Sequence, residues 1–81
     1  MDNGIEELAI LKDIHIGVRD TNHPCCYFIV DTLNGSASQI ISIEECVKLI
    51  KDTLCYKLED LNNKPCIVNR KDNIILFVKM R

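Results

Sequence analysis

Residues 41–55 read ISIEECVKLIKDTLC, and the reading of this stretch decides the fold class. Ile43, Cys46, Val47, Ile50 and Leu54 recur at the spacing of one helical face, while Glu44, Glu45, Lys48, Lys51 and Asp52 fall mostly on the other. Ser42, followed three residues later by Glu45, makes a capping box in which the hydroxyl accepts from an early amide and the carboxylate reaches back. Glu44 and Glu45 sit at the positive end of the helix dipole. The Glu44–Lys48 pair contributes only a few tenths of a kcal/mol on an exposed face. Burial of the apolar stripe must therefore supply most of the stability. The stretch predicts one amphipathic helix that the rest of the chain covers.

On either side the periodicity changes from helical to alternating. In residues 8–19, Ile14, Ile16 and Val18 alternate with Asp13, His15, Gly17 and Arg19, which predicts a half-buried strand. The alternation slips around Leu11 and Lys12, as at a bulge. DTNHP (residues 20–24) reads as a polar turn. CCYFIVDTL (residues 25–33) is apolar on both faces and predicts a strand flanked by others. NGSAS (residues 34–38) reads as a loop of small residues, with residues 39–41 adding a short third strand.

After the helix, residues 56–61 form a loose turn that docks Leu58 and Leu61, and Asn62, Asn63, Lys64 and Pro65 break the chain. Residues 66–70 and 74–80 then read as a hairpin about Lys71, Asp72 and Asn73. The fold class is α+β: a single small domain over residues 1–81, with residues 1–4 flexible. The order is ββ(β)αββ, an antiparallel sheet of four to five strands with one helix packed on one face. One helix leaves the second face short of cover, and so large an apolar patch predicts a homo-oligomer.

A chain of 81 residues buries only about 60–65 per cent of its unfolded surface, so association would help it. The opening MDNGIEELAILKD is acidic and interrupted by Glu and Lys, unlike a secretory or membrane-spanning segment. A reducing, cytoplasmic setting follows, with free thiols. Cysteines 25, 26, 46, 55 and 66 are odd in number and include no CxxC; on a strand Cys25 and Cys26 point to opposite faces. No metal site and no cofactor is expected, and buried cysteine as a small hydrophobe is the simpler reading.

His23 lies near Asp20 and Cys25, a set that superficially offers nucleophilic catalysis, but nothing orients it. No catalytic residue is assigned, and the chain reads as a non-enzyme. Tyr27, Phe28, Tyr56 and Phe77 are too few and too much needed for the core to suggest a nucleic-acid platform. Residues 1–20 carry five acids against two bases, −3, whereas residues 62–81 carry five bases against Asp72, +4. That basic end could meet phosphate or an acidic partner; a solvated hairpin is the plainer alternative.

The polar segment with most binding potential is residues 34–39. Small residues let backbone amides approach a ligand, and Ser and Gln supply donors and acceptors, although the segment has neither the P-loop nor the GxGxxG pattern. Asn34, Gly35, Ser36, Ser38 and Gln39 are candidate ligand-binding residues, with Arg19 as a phosphate clamp. The alternative is an ordinary connection ahead of a capped helix.

GVRD (residues 17–20), CYFIVDTLNGSASQ (residues 26–39) and EDLNNKPCIV (residues 59–68) are the segments that carry a resemblance. Together they resemble short bacteriophage-encoded proteins in which a Gly-x-x-Asp strand end leads to a hydrophobic strand, a GGSGQ-like loop, a helix and an EDL-x-GK phrase. Asn63 stands where that pattern has Gly, and the span from loop to helix is shorter; Gly35, Ser36 and Gln39 match the loop most nearly. The resemblance implies a viral accessory protein in the host bacterial cytoplasm that counteracts bacterial immunity. It would sequester a nucleotide-derived signal or, alternatively, bind a host defence protein as an anti-CRISPR does.

Overall fold

The structure is a computed structural model that describes residues 4–18 and 23–81. Its elements are β1 (Ile5–Val18), β2 (Pro24–Thr32), β3 (Gly35–Ser42), α1 (Ile43–Asp52), a 3-10 turn (Leu58–Leu61), β4 (Pro65–Lys71) and β5 (Ile74–Met80). The fold is α+β, as the periodicities require, with every ladder antiparallel and the strand order β3-β2-β1-β4-β5.

β1 is long because it serves two neighbours: residues 5–10 pair with β4 and residues 10–18 with β2. Within the half that pairs with β2 the register slips from Lys12 to His15, and Asp13 adopts a left-handed φ of 54°. Such a bulge bends a strand and increases its twist. Asn62 and Asn63 repair the interrupted ladder. Ile14 N–H donates to Asn62 Oδ1 (2.9 Å), and Asn63 N–H donates to the Leu11 carbonyl (2.7 Å). Asn63 has φ 67°, a conformation that Gly adopts freely and that Asn tolerates better than most.

The sheet curls until its two edge strands approach, and the Gln39 side chain bridges the gap. Its Nε2–H donates to the Ile75 carbonyl (2.9 Å), and its Oε1 accepts from Phe77 N–H (3.1 Å). One side-chain amide thus stands in for a rung of β3–β5 pairing. The connectivity, with the helix between β3 and β4, is that of a partly open five-stranded Greek-key barrel of the OB type.

The core lies inside the curl. Ala9, Leu11, Ile14, Cys26, Phe28, Val30, Cys66, Val68 and Ile75 come from the strands, joined by Cys46 of α1 and Leu61 of the 3-10 turn. Phe28 meets Phe77 edge to face at 5.2 Å between centroids. Leu11, Val30 and Val68 are wholly buried, each worth roughly 1.5–3 kcal/mol relative to exposure.

Several expectations change. The helix is a lid on the barrel and does not organise it: Cys46 is its one buried residue, with Leu49 and Ile50 packed against the core and Val47 exposed. It stops at Asp52, where the Thr53 hydroxyl donates to the Leu49 carbonyl (2.7 Å) and Leu54 turns left-handed (φ 58°), so Leu54 leaves the apolar stripe. Of the three residues expected to point inward from β1, Ile14 is buried. Ile16 and Val18 are 52 and 66 per cent exposed, because they lie beyond the bulge toward the open end of the curl.

Residues 35–38 are not a loop. Gly35, Ser36, Ser38 and Gln39 belong to β3, paired with Thr32, Asp31, Ile29 and Phe28, and the connection shrinks to Leu33 and Asn34. Thr32 closes that turn by accepting from Asn34 N–H (3.1 Å) and donating to the Gly35 carbonyl (2.7 Å). At the other hairpin Asp72 and Asn73 have φ 52° and 68°, a two-residue turn with both positions left-handed, so β4 runs on through Lys71.

Candidate functional site

Because Cys26, Phe28 and Val30 point into the core, Cys25, Tyr27, Ile29 and Asp31 point outward. Register then assembles the outer face of β1–β3 row by row: Gly17, Cys25, Ser42; His15, Tyr27, Ile40; Lys12, Ile29, Ser38; Ile10, Asp31, Ser36. At its centre the His15 and Tyr27 rings stack, with centroids 5.4 Å apart and planes within 13°.

Two features hold that stack. His15 Nδ1–H donates to the Asp13 carbonyl (2.9 Å), which the bulge turns toward it and which can only accept. Gly17 makes room on the other side, since a Cβ there would meet Tyr27 Cε2 at 2.9 Å. A surface cavity of about 180 Å³ beside the rings is bordered by Asp13, His15, Tyr27, Ile29 and Ser38. It is smaller than an enclosing ligand pocket, so binding here would be stacking on an open face.

Charge on the face is nearly balanced. Lys12 Nζ lies 3.0 Å from Asp31 Oδ2, both side chains being more than two-fifths exposed. An exposed pair of this kind contributes little to stability, so Lys12 is available to another anion. On the inner side, at the other end of the barrel, Arg70 pairs with Glu7 and donates from Nη2 to Thr32 Oγ1 (3.1 Å), which ties β1, β2 and β4 together.

The candidate residues read from the sequence are divided by the structure. Ser36 and Ser38 join Lys12, Tyr27 and His15 on the outer face. Asn34 sits in the turn, and Gly35 opens β3 with φ 126° and no atom within 4 Å of where a Cβ would be. Gln39 points inward, and its amide is occupied in closing the barrel. Arg19, with Asp20 and Asn22, lies outside the described residues; Val18, just before it, pairs with Pro24 at the end of the sheet opposite the Leu33–Asn34 turn.

His15, Tyr27, Gly17 and Lys12 form the centre of this candidate face, and none of them was among the candidates read from the sequence. Tyr27 looked like a core aromatic in a two-sided strand, and His15 meets it only because the bulge at Asp13 shifts the register.

Cys25 Sγ–H points at the His23 main-chain carbonyl (3.8 Å) rather than at an imidazole. Burial pushes the Cys26 thiol up to about 12, helped by its hydrogen bond and charge interaction with Cys46, and burial alone pushes Cys66 up to about 11. All five cysteines are free. Among the described residues no three His, Cys, Asp or Glu side chains converge on a metal position, and no helix is long and apolar enough to cross a membrane. No family model, curated protein or solved structure matches the chain.

Proposed function

We propose that the protein is a non-catalytic binding protein that holds a base-bearing, nucleotide-derived molecule on the outer face of β1–β3. The observation that supports this reading most is the His15–Tyr27 stack, in which His15 is exposed and Tyr27 half-buried, kept parallel by Gly17 and the Asp13 carbonyl. A base continuing the stack gains about 1–3 kcal/mol. Ser36 and Ser38 can then meet its polar edges, and Lys12 can exchange Asp31 for phosphate. Among the described residues of β1–β3 the face carries one lysine, Lys12, and it is paired with Asp31, so a compact ligand fits better than a long polyanion.

Together with the resemblance to bacteriophage proteins, this extends to a viral accessory protein, homo-oligomeric and acting in the host bacterial cytoplasm, that sequesters an immune signal. Arg19, one residue beyond β1 in sequence, is the further phosphate ligand in this reading.

The test is a thermal-shift and calorimetric screen of cyclic dinucleotides, cyclic trinucleotides, cyclic ADP-ribose derivatives and a short single-stranded oligonucleotide. A ligand at about a hundred times its dissociation constant adds roughly 2.7 kcal/mol to the folded state. The expected result is a shift with one small-nucleotide class that Tyr27→Ala and His15→Ala each weaken about 10-fold or more. Binding only of the oligonucleotide, or binding indifferent to both substitutions, would refute the reading. A protein-binding inhibitor of a host defence effector is the second reading, favoured by the apolar outer face of β4 and β5.

A further inference from the structure

β5 is apolar on both sides although it is an edge strand. Ile75 and Phe77 face the core, while Ile74, Leu76 and Val78 face outward at 60, 58 and 45 per cent exposure around a surface cavity of about 580 Å³. Register continues this patch across two more strands, since Leu8 pairs with Ile67 and Ile67 with Lys79. The bulge between Ile67 and Val68 brings Val78 into the same region.

Ile74, Leu76, Val78 and Leu8 are each 45 to 60 per cent exposed, a contiguous apolar patch of the kind that often marks an interaction surface. A stable interface covers about 800 Å² per partner, so such a patch would form its apolar centre and a polar rim the rest. Strand addition at the β5 edge is the less favoured use, because the Ile75 carbonyl and the Phe77 amide at its middle are already taken by Gln39. What stands open is the face.

The rim selects the occupant. Glu6 borders the patch on the β1 side, in the row of Asn69 and Leu76, while Lys79 lies on the β5 side and Lys71 at the end of β4. A two-fold axis parallel to the strands brings the Glu6 side of one copy opposite the lysine side of its partner and stacks apolar centre on apolar centre. The patch is thus complementary to itself, as a two-fold contact requires. We propose that the outer face of β4 and β5, with Leu8, is the interface of a two-fold homodimer. It shares β1 with the ligand face but uses Glu6 and Leu8 at the start of that strand, whereas the ligand face uses residues 10–17 with β2 and β3.

Light scattering after size exclusion, at about 10–100 µM, tests this. The expected result is a dimer for the wild type and for Tyr27→Ala, and a monomer with an unchanged circular-dichroism spectrum for Leu76→Lys. Glu6→Lys should weaken the dimer about 10-fold or more, and Glu6→Lys combined with Lys79→Glu should restore it. Should Leu76→Lys fail to fold, the charge exchange decides alone. A monomeric wild type, including one that captures a different partner on this face, would overturn the proposal. So would a dimer indifferent to Leu76→Lys and Val78→Lys, or an exchange that fails to restore association. Loss of ligand binding with the dimer intact would count against the ligand reading alone.

Discussion

Replacing Gln39 by Leu removes the side chain that hydrogen-bonds across the two edges of the sheet. The side chain keeps its approximate volume but loses both bonds, leaving the Ile75 carbonyl and the Phe77 amide without a partner at a partly buried edge. Each unsatisfied group costs about 1–3 kcal/mol; partial access of water holds the two together near about 2–3 kcal/mol. An 81-residue domain has only about 4–12 kcal/mol in total. The loss should therefore lower the melting temperature by about 10–20 °C, measured by urea and thermal unfolding.

Gln39→Glu separates the two bonds. Its carboxylate still accepts from Phe77 N–H but, when ionised, has no donor for the Ile75 carbonyl. Protonation restores that donor, so the introduced group has a raised folded pKa. The stability it confers is complete below the ordinary carboxylate range and is lost as pH rises through the folded value. Gln39→Glu should accordingly approach wild type near pH 4 and resemble Gln39→Leu at pH 7. Hydrogen exchange of the Phe77 amide should accelerate in Gln39→Leu. A change below about 0.5 kcal/mol with Phe77 still protected would refute closure of the barrel by this side chain.

Three further outcomes follow from the same contacts. Gly17→Ala places a methyl group 2.9 Å from Tyr27 Cε2, so it should displace the ring and weaken ligand binding about 10-fold, with under about 1.5 kcal/mol of stability lost; equal affinity would show that the stack is not the platform. The Cys26 and Cys66 thiols rise from 9.0 to about 12 and about 11 on folding because burial disfavours the thiolate. Their contribution is whole below pH 9 and declines as pH rises toward those values, by up to about 1.4 kcal/mol per pH unit per thiol. Denaturation midpoints across pH 8–11 should fall accordingly, and less steeply in Cys66→Ala. Alkylation followed by mass spectrometry should label Cys25 and Cys55 before the buried Cys26, Cys46 and Cys66; uniform labelling of the native state would contradict the burial.

The class of fold was legible because local signals agree with it. The Ser42–Glu45 cap is formed, with Glu45 N–H donating to the hydroxyl (3.2 Å), although the carboxylate accepts a hydrogen bond from the hydroxyl rather than from the cap amide. The alternation and its slip near Lys12 also foretell β1 and its bulge. What failed was anything that depends on curvature. A flat sheet needs a helix to cover it, whereas this sheet buries its inner face in itself, so the helix carries less of the core than its pattern suggests.

Small polar residues read as a loop because Gly, Ser and Asn favour turns. In β3, pairing with the strongly strand-forming β2 overrides that preference. Ser36 and Ser38 lie on the outer face of β3 rather than in a loop, and the Gln39 amide faces β5. The His15–Tyr27 stack was not legible, because its two members meet through a one-residue register shift that composition does not reveal.

The most direct test of the ligand face is an amide chemical-shift titration of the labelled protein with the nucleotide that gives the largest thermal shift. The account predicts perturbations concentrated at Lys12, His15, Gly17, Tyr27 and Ser38, with the β4 and β5 amides still. Perturbations centred on Leu76 and Val78, or none at a saturating concentration, would contradict it.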